Sequence, residues 1–68
     1  MPINSNLLKA LLIEHGDTAQ DYANVLNCGI TTAYSRLNGV TEHSQIELKA
    51  VKKHYNLSDE RFLSIFFA

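Results

Sequence analysis

Leu7, Leu8, Leu11 and Leu12 recur at helical spacing and lay an apolar stripe along Ser5 to His15. Asn4 or Ser5 can cap its start, and Gly16 stands just past its end, where a left-handed residue closes a helix. A second helix opens at Thr18, because Thr18 and Asp21 make a capping-box pattern, and Ala23, Val25 and Leu26 give it an apolar side ending near Leu26. Asn27-Cys28-Gly29 reads as a tight turn, since Asn tolerates left-handed backbone and Gly takes it at no steric cost. A short third helix spans about Ile30 to Leu37 and stops at Asn38-Gly39. Ser44-Gln45-Ile46-Glu47 is a full capping box, and it starts a fourth helix whose buried face is Ile46, Leu48, Ala50, Val51 and Tyr55. Ser58 caps a fifth, with Asp59 and Glu60 in the first turn, where negative charge complements the helix dipole. That last helix carries Phe62, Leu63, Ile65, Phe66 and Phe67. No alternating β-branched run marks a strand, so the pattern predicts an all-α, compact five-helix domain.

Length bounds this picture to one domain over residues 1–68. A chain of this size buries only about 60% of the surface its unfolded form exposes, so its core is small and its folding margin is a few kcal/mol. Cys28 is the single cysteine, which rules out an internal disulfide and fits a reducing compartment; it reads as a small buried apolar side chain. No apolar run approaches the roughly 20 residues of a membrane span, and the start lacks the basic-then-apolar pattern of a signal peptide. The expectation is a soluble cytoplasmic protein with no membrane contact. His15, His43 and His54 lack metal-ligand spacing and read as surface or cap residues. With no nucleophile–base pair and no Gly-rich phosphate loop, neither an enzyme nor a cofactor is expected.

The stretch Thr18–Gly39 carries the functional signal. Two short helices joined by a three- or four-residue turn pack near a right angle, which needs a small residue at the crossing and apolar residues at the turn. Ala23, Leu26 and Cys28 meet those needs, while Ala33 and Leu37, at i and i+4, bury one face of the third helix. The opposite face turns out Ile30, Thr31, Tyr34, Ser35 and Asn38 and carries no acid. Such side chains approach phosphates and base edges without repulsion: Thr methyls meet the thymine methyl, Asn bridges adenine, and Arg bridges guanine. The amino end of the helix adds free N–H groups.

Residues 5–67 resemble the lambda-repressor-like helix-turn-helix superfamily in its small phage Cro/repressor form. The resemblance rests on Ala23-Asn24-Val25-Leu26, the turn Asn27-Cys28, Thr32, Leu37-Asn38-Gly39, and the run from Glu47-Leu48-Lys49-Ala50-Val51 through Asp59-Glu60 to Phe66-Phe67. It implies a five-helix domain that binds double-stranded operator DNA, commonly as a homodimer, with the second motif helix in the major groove. Asn27 stands where Gly is usual, Ala33 where a large aliphatic is usual, and Arg36 where an aliphatic is common. The last two allow a rotated seating of the third helix, with Leu37 as its packing residue.

The expected DNA-binding residues are therefore Thr18, Gln20, Ile30, Thr31, Thr32, Tyr34, Ser35, Arg36 and Asn38, with the amino ends of the second and fourth helices anchoring phosphates. Six of them have an ordinary alternative. Thr31 and Ser35 can be plain solvated residues, and Thr32 can face inward. Tyr34 can pack on the loop at 40–43, Arg36 can pair with Glu42 or Asp21, and Asn38 can serve as a cap. Lys49, Lys52 and Lys53 read first as a solvated face. In the tail, Phe62 and Phe66 can close the core, or Leu63, Ile65, Phe66 and Phe67 can contribute to a homodimer seam.

Net charge is −1, with six Lys and Arg against seven Asp and Glu. That balance opposes polyanion binding, which usually draws on counterion release. It keeps a second reading open: a protein-interaction module, such as an antirepressor that binds a partner repressor.

Overall fold

Helices begin where the sequence places caps. A computed structural model describes residues 3–67; Met1, Pro2 and Ala68 of the expected domain lie outside the described residues. Among these residues the helices are α1 (Ser5–Glu14), α2 (Ala19–Leu26), α3 (Ile30–Leu37), α4 (Gln45–His54) and α5 (Asp59–Phe66), with no strand. Asn4, not Ser5, caps α1, its side chain accepting the Leu7 N–H at 3.1 Å. Both capping boxes close reciprocally, Thr18 with Asp21 and Ser44 with Glu47. Ser58 accepts the Arg61 N–H at 3.2 Å and caps α5. Gly16 (φ 67°) and Gly39 (φ 74°) take the left-handed positions that end α1 and follow α3. At the α2–α3 turn that role falls to Asn27 (φ 59°), while Gly29 keeps an extended φ of −77° as the residue before α3. The asparagine thus supplies the left-handed geometry for which glycine is the default.

One core runs through all five helices. Leu8, Leu11 and Leu12 of α1 meet Tyr22, Ala23 and Leu26 of α2, Ala33 and Leu37 of α3, Val51 of α4, and Ile65 and Phe66 of α5, with Tyr55 and Leu57 from the α4–α5 connection. The main pairing of α2 is with α3, where Ala23 and Ala33 are both fully buried and let the two backbones approach. It packs next against α4, while α1 lies against α3 and α5. The result measures 28 × 24 × 21 Å. Cys28 is partly buried against this core.

Several expected placements are corrected. Leu7 lies at the edge of the α1 stripe and stays 42% exposed. Ile46 is 80% exposed, because α4 turns Leu48, Val51 and Tyr55 inward and position 46 falls on the opposite side at 100° per residue. Ile65 and Phe66 are 1% and 3% exposed, so neither is available to a surface seam; Leu63 (53%) and Phe67 (47%) remain outside. His43 is not a surface residue. It is half-buried, its Nε2 lies 2.7 Å from the Tyr22 hydroxyl, and its ring meets Phe66 edge-on at 5.1 Å. His15 and His54 are exposed and flank the buried Tyr55 edge-on at 4.9 and 4.7 Å. The Tyr55 hydroxyl donates to Asp17 at 2.7 Å, tying the end of α4 to the α1–α2 loop. Among the described residues no helix is long and apolar enough to cross a membrane.

Candidate nucleic-acid interface

The third helix buries a narrow stripe. Ala33 and Leu37, at 0% and 4% exposure, hold α3 against α1 and α2, which is the unrotated seating with both residues inward. Ile30 (39%), Thr31, Tyr34 (53%) and Asn38 face outward. Ser35 and Thr32 are half-buried at the margins of that face. Ile30-Thr31-Thr32-Ala33-Tyr34-Ser35-Arg36-Leu37 contains no carboxylate. The amino end of α3 differs from the other four: Gly29 precedes it with no side-chain cap and no acid in the first turn. Its first N–H groups are therefore not taken by a neighbouring side chain, and the positive end of the helix dipole is not neutralised.

Arg36 is engaged elsewhere. Its Nε donates to Glu47 Oε1 at 3.0 Å and its Nη1 to the Thr41 hydroxyl, a different partner from the expected Glu42 or Asp21. The same Glu47 oxygen accepts the Ser44 N–H at 2.8 Å. Burial pushes the Glu47 carboxyl up, but the Ser44 N–H and the Arg36 guanidinium outweigh it and hold the group below its ordinary value. Arg36 thus fastens the end of α3 to the start of α4, with side chains only 19% and 12% exposed, and it is not a free phosphate or base contact.

The amino ends of α2 and α4 are closed as well. At α2 the Asp21 carboxylate accepts both the Thr18 N–H at 2.8 Å and the Thr18 hydroxyl at 3.1 Å, and at α4 Glu47 occupies the equivalent place. A carboxylate already sits where each was expected to hold a phosphate, and like charge opposes the exchange. Gln20 is exposed on α2 and its amide donates to Asn24 at 3.4 Å.

The cations divide into two groups. Arg36, Lys52 and Arg61 are paired with Glu47, Asp59 and Glu14. Lys9, Lys49 and Lys53 have no carboxylate partner among the described residues. Lys53 lines a shallow groove between α2 and α4 with Val25, Ala50 and His54. Lys9 stands across a second groove, between α1 and α3, from Tyr34 and Asn38. Tyr34 is thus both a lining residue of this groove and part of the exposed face of α3. Sequence reasoning passed over Lys9 because the Lys49–Lys53 cluster dominates the charge pattern; the usable signal was its place on α1, off the buried stripe. Among the described residues no group of three or more His, Cys, Asp or Glu side chains is arranged to hold a metal ion.

No protein-family model, no curated protein and no solved structure matches this chain.

Proposed function

We propose that this chain is a sequence-specific, DNA-binding transcriptional regulator of Cro/repressor type. In this reading α2, the Asn27–Gly29 turn and α3 act as a helix-turn-helix, and α3 enters the major groove of operator DNA. The observation that supports it most directly is the outward face of α3: Ile30, Thr31, Tyr34 and Asn38 without a carboxylate, continuing to an uncapped amino end. Thr31 and Ser35 read base edges, and the α3 amino end approaches a phosphate. Leu63 and Phe67 offer apolar surface for a homodimer, which combines two weak half-site affinities on a palindromic operator.

A mobility-shift titration on the DNA adjoining the protein's own coding sequence tests this. Affinity falls steeply between about 50 and about 200 mM salt, as phosphate contacts require. Thr31→Ala and Ser35→Ala each cost about 1 kcal/mol of operator binding and relax base preference, while the melting temperature stays at the parent value. A lowered melt with undiminished binding makes them packing residues instead.

The pairing of Arg36, Lys52 and Arg61 with acids, together with the exposed Leu63 and Phe67, favours a second reading: a partner-binding module of antirepressor kind. Absence of any shift at low salt, with a stable complex formed with a repressor, selects it over the first.

A further inference from the structure

Resting on the DNA reading, we propose that α1 supplies a second contact to the duplex: the groove between α1 and α3 receives the sugar–phosphate backbone beside the bases that α3 reads, with Lys9 binding the phosphate. The groove is open, about 360 Å³ in volume, and Tyr34 and Asn38 belong both to it and to the outward face of α3. A duplex lying on Thr31 and Asn38 therefore brings one of its strands to this groove.

Three features fit that occupant. Lys9 is exposed and has no carboxylate partner among the described residues, whereas Arg36, Lys52 and Arg61 are neutralised by their own carboxylates. A cation of this kind takes a phosphate without first giving up a protein partner. Ile13 is 78% exposed and Tyr34 53%, an apolar exposure that the fold leaves uncovered and that a deoxyribose covers. The Asn38 amide adds a neutral donor at the groove edge, the usual complement of a lysine in backbone contacts. The one carboxylate in the wall is Asp17. Its side chain is only 21% exposed and accepts the Tyr55 hydroxyl at 2.7 Å, so most of that carboxylate is covered by the protein and not presented to the groove's solvent side.

The contact is to backbone, so a short random-sequence duplex suffices as the probe. Anisotropy titrations over a range of salt are run on the parent protein, Lys9→Gln, Lys52→Gln and Ile13→Ala, each first shown to melt like the parent. Lys9→Gln lowers the slope of log affinity against log salt by about 0.9, the loss of one phosphate contact, and weakens all sequences equally. Lys52→Gln leaves the slope unchanged, because that lysine is held by Asp59. Ile13→Ala lowers affinity at every salt concentration with the slope kept. A Lys9→Gln slope equal to the parent's overturns the phosphate assignment, and parent-like binding by Ile13→Ala overturns the groove, while the DNA reading stands in both cases. A parent protein that binds no duplex at low salt overturns both together.

Discussion

Phe66→Ala lowers the free energy of unfolding by about 3–5 kcal/mol, the usual cost of deleting a buried ring. The ring is 3% exposed and sits between Phe62 and His43, each with its centroid 5.1 Å away. In a chain of 68 residues the total margin is only a few kcal/mol, so this one truncation removes most or all of it. Urea denaturation followed by circular dichroism reads the loss. Phe67→Ala is the contrast: its ring is 47% exposed, and the monomer's stability changes by no more than about 0.5 kcal/mol. Its readout is sedimentation, where a shift from dimer to monomer places Phe67 in the homodimer seam. A stable Phe66→Ala protein that has lost a dimer reverses these roles and returns Phe66 to the surface.

The contrast between these neighbours shows where sequence reading stops. Helix limits were legible because their determinants are local. A capping box needs only residues i and i+3, and Ser44 with Glu47 and Thr18 with Asp21 behave as their spacing predicts. Gly16, Gly39 and Asn27 are likewise recognisable from their own conformational preferences. The inward and outward sides of α3 were also legible, because Ala33 and Leu37 are spaced i, i+4 on one face and the face opposite them is polar apart from Ile30 and Tyr34 at its edge.

Burial at the ends of elements was not legible in the same way. Ile46 looks like a core residue by type, yet α4 meets the core through Leu48, Val51 and Tyr55, and only the position of α2 against α4 settles which side wins. The Phe-rich tail posed the same problem, since Ile65 and Phe66 turn into the core while Leu63 and Phe67 stay about half exposed, Phe67 beside His43 at the surface. The partners of Arg36 are also set by tertiary approach: Glu47 is eleven residues away, and no helical spacing points to it. Its capture changes the candidate interface, because a residue expected to meet DNA instead holds α3 and α4 together.

His43 illustrates the same limit and has a measurable consequence in mild acid. Tyr22 is fully buried and its hydroxyl meets His43 Nε2 at 2.7 Å, while His43 Nδ1 is buried without a partner among the described residues. If Tyr22 donates to Nε2, only the Nδ1–H is left unpaired. The reverse arrangement strands both the Tyr22 O–H and the Nδ1 lone pair, so the first is favoured and His43 is neutral with its proton on Nδ1. Protonating Nε2 breaks that arrangement. Burial, reinforced by Arg36 and only partly opposed by Glu47, pushes the pKa of His43 from 6.5 down to about 4. The unfolded chain therefore takes up this proton first as pH falls, and stability must drop with it. The drop runs from the ordinary value of 6.5 to about 4 and then levels. Allowing for the partial exposure of the ring, it amounts to about 2 kcal/mol. The carboxylates act in a lower window. Glu47, Glu14 and Asp59 are held below their ordinary values of 4.5, 4.5 and 3.8, so the stability they contribute is lost only as pH falls through and below those values. Urea denaturation at intervals from pH 7 down to about 4.5 separates the two. The parent protein loses stability across this range, and His43→Gln, whose amide oxygen can still accept the Tyr22 hydroxyl, starts less stable and changes little. A parent curve that stays flat, or a His43→Gln curve as steep as the parent's, removes His43 as the cause.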